Sequence, residues 1–325
     1  MMLRRDFLRW MFFSASWMMA DSFLQPLKLF AADKHKGEYY HILLLSDLHL
    51  PWKPNKFPTK EEQEIVWSSK QTMLSNINSW DDINEAAILG DLAARYGIED
   101  EYACVDNFLS SLPVPWYAIA GNHDYVYRDT PDAQGHLQTG THEEKLAKLM
   151  AFNKRYHLPD MYYGRSIGKY RLLYLAPDVC GNLQIELSTK QLEWLKNEIQ
   201  THQHGPILFF CHAPLMGTLR TYKKKINTPQ TTAQPADKLQ EILSHCPPGS
   251  LWISGHTHTP PKNDSFADDS VNRFNENLVN IHNPAIDKKH IYTNSLYLYD
   301  DKTVIRTYDH RDDKWVKKFD RIYKS

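Results

Sequence analysis

Residues 116–127 read WYAIAGNHDYVY. Tyr117 to Ala120 has the length and apolar character of a buried strand, and it runs straight into Gly121-Asn122-His123-Asp124. A single cluster of this kind is usually a turn. Here four other apolar runs end in the same way. His41–Leu45 is followed by Ser46-Asp47-Leu48-His49, and Ala86–Leu89 by Gly90-Asp91. Pro206–Phe210 is followed by Cys211-His212-Ala213-Pro214, and Leu251–Ser254 by Gly255-His256-Thr257-His258. In an open α/β sheet, ligands bind outside the carboxyl ends of the strands. Five strands that deliver Asp, Asn or His at that edge therefore predict one crevice lined by all of them.

The rest of the chain fits this reading. Tyr170–Leu175 is a sixth apolar run, and helical periodicity fills roughly 60–79, 100–111, 143–155, 188–202 and 235–245. Strand–helix alternation predicts an α/β domain with parallel pairing in its sheets. The tail, 289–323, changes character: KHIYTNSLYLYD, KTVIRTYDH and KWVKKFDRIY predict three successive strands in an antiparallel meander. We read 38–325 as one domain that includes this tail.

Bulk composition bounds the function. Lys plus Arg number 38 against 39 Asp plus Glu, a net charge of −1, so the chain carries no whole-chain electrostatic footprint for nucleic acid and none is expected as a partner. The basic run Lys223-Lys224-Lys225 reads as a solvated loop. The four cysteines, Cys104, Cys180, Cys211 and Cys246, contain no C-x-x-C pair. A zinc ribbon and a dense disulfide framework are thereby excluded, while one or two bridges stay open.

The collected side chains are two Asp, one Asn and four His. Oxygen and imidazole donors without thiolate suit Mn, Fe, Zn or Co. Seven donors are too many for one ion and about right for two ions sharing a carboxylate. Such a pair lowers the pKa of a bound water and clamps the oxygens of a phosphoryl group.

Asp-x-His, Gly-Asp, Gly-Asn-His-Asp, His-x-Pro and Gly-His-x-His, in this order, resemble the calcineurin-like metallophosphoesterase superfamily over roughly 40–300. The resemblance implies a two-sheet β-sandwich flanked by helices, four layers in all, with a dinuclear metal site at the strand C-terminal edge. It implies that Asp47, His49 and His258 hold one metal, that Asn122, His212 and His256 hold the other, and that Asp91 bridges them. It implies that His123 is a catalytic group rather than a ligand, with Asp124 orienting its ring. The expected cofactors are two divalent or trivalent transition-metal ions, and the expected activity is hydrolysis of a small phosphomonoester or phosphodiester by a metal-bridging hydroxide. A catalytically silent scaffold and a nuclease are the alternatives. The protein Ser/Thr phosphatase pattern is not matched, because Leu-Ala-Ala-Arg follows Asp91 where that branch has Asp-Arg-Gly. LSTKQLEWLKNEI (187–199), with GNHD and GHTH, is more similar to bacterial cyclic-nucleotide phosphodiesterases and purple-acid-phosphatase-like members. Substrate contacts are expected from some of Tyr125, Tyr127, Arg128, His136, His142 and Arg165, with a solvated insertion as the alternative reading of 125–165 and with 259–277 as a second candidate rim.

The N-terminus reads separately. Arg4, Arg5 and Arg9 precede an apolar run from Trp10 to Ala20, too short to span a bilayer, for which about 20 residues are needed. That is the pattern of an export signal. Arg4-Arg5-Asp6-Phe7-Leu8-Arg9 resembles the bacterial twin-arginine signature, with Leu3 in place of the usual Ser or Thr. Residues 1–37 are thus read as export signal and linker, the twin-arginine machinery as a partner, with a plain secretory signal as the alternative, and the periplasm or extracytoplasmic face as the destination. Retention of the signal would make it a membrane anchor.

Overall fold

The structure, a computed structural model, describes residues 38–220 and 226–325. The expected export signal and the run Lys223–Lys225 lie outside these residues. Two sheets form the frame. In the first, β1 (Tyr40–Leu45) pairs in parallel with β2 (Glu85–Ile88), and β2 with β3 (Trp116–Ala118). The other edge of β1 takes the antiparallel β9 (Tyr292–Leu298), followed by β10 (Lys302–Asp309). β11 (Lys314–Trp315) and β12 (Arg321–Lys324) both pair with β10. In the second sheet, β4 (Tyr162–Ile167) and β5 (Tyr170–Leu175) form a hairpin. β6 (Ile207–Cys211), β7 (Ser250–Ser254) and β8 (Leu278–His282) continue it in parallel.

The expected parallel pairing holds for β1, β2 and β3 and for β5 to β8; the antiparallel tail and the β4–β5 hairpin make both sheets mixed. The parallel strands are the ones written as unbroken apolar runs, because both of their faces are covered. The tail differs too: its third expected strand is broken by a 3₁₀ turn at Lys317–Phe319 into β11 and β12.

Strand side chains alternate between faces. Ile42 and Leu44, Ala87, Leu172 and Tyr174, Leu208 and Phe210, Leu251 and Ile253, and Leu296 and Leu298 share one buried cluster, so the two sheets close on each other. The opposite face of the second sheet, through Leu173, Phe209 and Trp252, packs on Leu192, Leu195 and Ile199 of α5 (Thr189–Thr201) and Leu239 and Leu243 of α6 (Ala236–Leu243).

The other helices are α1 (Lys60–Asn78), α2 (Glu99–Leu109), α3 (Asn122–Tyr125), α4 (His142–Arg155) and α7 (Asp269–Asn272). α1 and α4 begin at capping boxes, Thr59 with Glu62 and Thr141 with Glu144, which satisfy N–H groups that the first turn leaves unpaired. All four cysteines are buried free thiols, so no bridge forms. Among the described residues no helix is long and apolar enough to cross a membrane.

Candidate metal centre

The loops after β1, β2, β3, β6 and β7 meet at one edge of the two sheets. Backbone bonds lash them together: Asp47 N–H donates to the Gly90 carbonyl (3.1 Å), His49 N–H to Asp91 (2.9 Å) and Gly255 N–H to His212 (2.9 Å). Such close approach requires the glycines of the motifs. A Cβ on Gly90 would fall 2.7 Å from the Gly121 nitrogen and 2.7 Å from His212 Nδ1. One on Gly121 would meet the Asp91 carboxylate, and one on Gly255 would meet Ser46 Oγ and Asp47 Oδ2. This is why strand, glycine and polar cluster recur together.

Five of the polar residues hold left-handed backbone: Asp47 (φ 52°), His49 (42°), Asp91 (54°), His256 (64°) and His258 (52°). For a residue with a Cβ this costs about 1–2 kcal/mol. Strain of this kind persists where the surroundings over-determine it, and it clusters at functional sites.

Two groups of donors result. Atoms of Asp47, His49, Asp91 and His258 lie within 4.8 Å of one another, and so do atoms of Asp91, His212 and His256. Asp91 belongs to both. In the first group, His258 Nε2 is 3.0 Å from Asp47 Oδ1, His49 Nε2 is 3.5 Å from Asp91 Oδ2, and the two ring nitrogens are 3.1 Å apart. In the second, His212 Nε2 is 3.3 Å from Asp91 Oδ1 and 3.2 Å from Asn122 Oδ1, and His256 Nδ1 is 3.2 Å from His212 Nε2. All seven expected donors are thus brought together.

Their far sides are fixed by carbonyl oxygens, which only accept. His212 Nδ1–H donates to Leu89 (2.6 Å), His49 Nδ1–H to Ala93 (3.4 Å) and His256 Nε2–H to Gln230 (3.3 Å). Each ring, when neutral, therefore turns its lone pair inward, the usual way a metal-binding imidazole is oriented. Burial holds His49 and His258 below the ordinary histidine range and His256 at about 4. Burial also opposes ionisation of Asp91 and Asp47. The facing histidines override it, chiefly His212 for Asp91 and His258 for Asp47, and both carboxylates lie low. His212 is the exception: burial lowers it, but the Asp91 carboxylate wins and lifts it to about 9. Buried carboxylates and inward lone pairs, with oxygen and nitrogen donors only, fit borderline-hard cations.

His123 stands beside both groups. Its N–H donates to Asp91 Oδ1 (2.8 Å), and its ring meets the His49 ring edge-on at 5.0 Å. Asp124 does not orient that ring, contrary to expectation. Its carboxylate turns away and accepts from Ala93 N–H (3.0 Å), Leu92 N–H (3.1 Å) and Gly121 N–H (2.8 Å), binding the second motif to the third. The His123 ring is held instead by the Arg95 carbonyl, 3.2 Å from Nδ1, and Lys53 Nζ, 3.2 Å from Nε2.

Of the expected rim residues, Tyr127 lies closest, its ring 5.1 Å from that of His123. Tyr125 is buried, with its hydroxyl donating to the Gln184 carbonyl. Arg128 pairs with Glu144, His136 with Asp132, and His142 is exposed at the start of α4. Arg165 pairs with Glu85 at the opposite end of β2 from Asp91. The second rim, 259–277, is tied through Asn272 to Thr218 and Ser265.

Sequence reasoning missed Lys53 and Lys70. Fully buried Lys70 donates to the carbonyls of Leu48 (2.7 Å) and Pro51 (2.9 Å) and sits 3.5 Å from Asp287 Oδ1, pinning the loop that carries His49. A polar residue on the buried side of an amphipathic helix was the available signal for Lys70.

Residues 40–278 match the calcineurin-like phosphoesterase family. The chain belongs to that family. Over 175 residues it is 26% identical to a "probable cyclic nucleotide phosphodiesterase" of Moraxella catarrhalis (strain BBH18), an alignment covering 54% of this chain and 57% of that relative. The match thus spans little more than half of the relative's length. Among solved structures, a purple acid phosphatase from yellow lupin (Lupinus luteus) seeds superposes with a TM-score of 0.54 at 12% identity, covering 87% of this chain and 53% of that one. PhoD superposes with a TM-score of 0.54 at 9% identity, covering 89% and 72%. At such identities the likeness is one of fold. Family membership makes a metal-dependent phosphoesterase site the natural reading of the two donor groups.

Proposed function

We propose that this chain is a two-metal hydrolase of small phosphoesters. Asp47, His49 and His258 hold one ion, Asn122, His212 and His256 hold the other, and Asp91 serves both. The observation that carries this reading is the sharing of Asp91 between two donor groups, each with its imidazoles already turned inward. Two transition-metal ions (Mn, Fe, Zn or Co) supply Lewis-acid polarisation of a phosphoryl group and acidify water at neutral pH. The chain's own contribution is position. Asp91 fixes the spacing of the two groups and the backbone of His123, and the His123 ring faces the reacting phosphoryl group. Asp124 keeps the loops in register. For the fold, the finer reading is a four-layer sandwich, helices outside two facing sheets, formed by one domain over 38–325.

The Moraxella relative supports a diester, cyclic nucleotides included, as the substrate class. The scaffold alternative is disfavoured because no expected donor is missing. Export by the twin-arginine route to the periplasm rests on the N-terminal sequence pattern alone.

The test is a panel on metal-analysed protein: bis-(p-nitrophenyl) phosphate, p-nitrophenyl phosphate and 3′,5′-cyclic nucleotides. Turnover of a diester is expected, and His123→Ala should reduce it by at least about 10²-fold with metal retained. Protein carrying two metals that turns over none of the panel would overturn the proposal.

A further inference from the structure

Tyr127 is held in place at every point but one. Its carbonyl accepts from Lys148 Nζ (2.7 Å), and its backbone bridges to Thr139. Its half-buried ring lies 5.1 Å from the His123 ring. Its hydroxyl oxygen accepts from Gln184 Nε2 (3.3 Å), in the loop between β5 and α5. That loop is itself tied down, because the Gln184 carbonyl takes the hydroxyl of Tyr125.

A phenol also has one hydrogen to give, and it keeps that hydrogen at neutral pH. The Gln184 amide uses Tyr127 as an acceptor only. Asn122 is the other polar side chain at that oxygen, and its own oxygen is turned to His212 Nε2 at 3.2 Å. Among the described residues the Tyr127 hydrogen has no acceptor within hydrogen-bond distance. The chain thus presents a rigidly held donor beside Asn122 and His123, where the two donor groups meet. A phosphoryl oxygen is a charged acceptor, and hydrogen bonds to charged groups are the stronger kind. A neutral donor, unlike a lysine or an arginine, binds such an anion without repelling cations in the same cleft.

We propose that Tyr127 contacts the substrate directly, its O–H donating to a non-bridging phosphoryl oxygen. This deepens the hydrolase reading and rests on the cleft receiving a phosphoester. It singles out one of the six expected rim residues and names the atom that it uses.

Inorganic phosphate is the probe, titrated calorimetrically into the zinc-loaded full chain, with zinc content measured for each variant. Loss of one hydrogen bond to a charged acceptor corresponds to about 10- to 100-fold in Kd. Tyr127→Phe keeps the ring against His123 and removes only the hydroxyl. It should weaken phosphate binding by at least about tenfold with zinc unchanged. Should it lose zinc, Tyr127→Leu carries the same comparison; zinc loss in both overturns the proposal, because the side chain then serves the cations rather than the anion. Phosphate affinity unchanged in a zinc-retaining variant, or no phosphate binding by the unaltered zinc-loaded chain, overturns it as well. Hydrolysis of the ester panel is scored separately. Turnover with phosphate binding that ignores Tyr127 sinks this inference alone, and Tyr127-dependent binding without turnover sinks the hydrolase reading alone.

Discussion

Gly121→Ala isolates the packing that shapes the metal centre. Gly121 has φ −103°, a value open to alanine, so the substitution adds no backbone strain. The added methyl would lie inside contact distance of the Asp91 nitrogen and Oδ1, and 2.8 Å from His212 Cε1, whereas ordinary contacts begin at 3.4 Å. The His212 ring must retreat by 0.6 Å (3.4 less 2.8), and Asp91, whose backbone is also in the way, by more. Overpacking of this kind costs about 1–3 kcal/mol, a fall in Tm of roughly 2–10 °C for a domain this large. Displacing a reacting centre by about 1 Å can cost about 10²-fold in rate. The expected outcome is therefore reduced metal content by elemental analysis, a lower Tm, and a diesterase rate down by about two orders of magnitude. Gly135→Ala is the comparison. Its φ of +84° makes alanine unfavourable, but nothing lies within 4 Å, so it should lose stability without losing metal. A Gly121→Ala protein that keeps its metal, its Tm and its rate would refute the idea that close approach of the loops sets the site.

Removing the shared carboxylate should affect both donor groups. Asp91→Asn is expected to bring bound metal below one ion per chain, while His256→Asn leaves about one, as read by elemental analysis after dialysis. Lys70→Met removes the cation that holds three carbonyls and faces Asp287. Breaking a buried pair costs about 3–5 kcal/mol, so the urea midpoint should fall accordingly; a loss under about 1 kcal/mol would contradict the pinning role. His282 is fully buried, and burial lowers its pKa to about 4. The folded ring stays neutral as pH falls below the ordinary value of about 6.5, while the unfolded ring takes up a proton. Its contribution is intact above about pH 6.5 and is lost on acidification at about 1.4 kcal/mol per pH unit, on the order of 3 kcal/mol by pH 4. His282→Asn should flatten that part of the stability profile, measured by urea unfolding at pH 7 and pH 5.

The donors were legible because each follows an unbroken apolar strand and, in most cases, a glycine. The five longer helices were legible from their period, whereas the single turns α3 and α7 are too short to show one. Two strands were not. β4 contains Gly164 and Arg165, and its arginine is half-buried by pairing with Glu85, so hydrophobicity does not mark it. β8 carries Asn280 and His282 inward, where the Leu215 N–H and the Thr218 carbonyl satisfy them. Buried polar groups with partners in distant loops defeat an apolar pattern search. The partners of His123 escaped for a related reason. Arg95 acts through its backbone, and Lys53 is one lysine in a loop with no period or motif, so only the folded chain brings them to the ring. The assignment of Asp124 to that ring failed because adjacency in sequence says little about direction across a single helical turn.

The placement of β9 between β1 and β10 has a consequence for biosynthesis. β1 is made first among these strands, yet Leu43 pairs with Ser295, far later in the sequence. Until β9 leaves the ribosome, the strand leading to Asp47 and His49 keeps an open edge, and the Asp47 loop lacks its backbone bond from Asp287. Contacts so distant in sequence slow folding. The first cation site can mature only once β9 and the Asp287 loop have emerged, which makes synthesis of that late segment, rather than growth of the N-terminal half, the event that licenses metal loading.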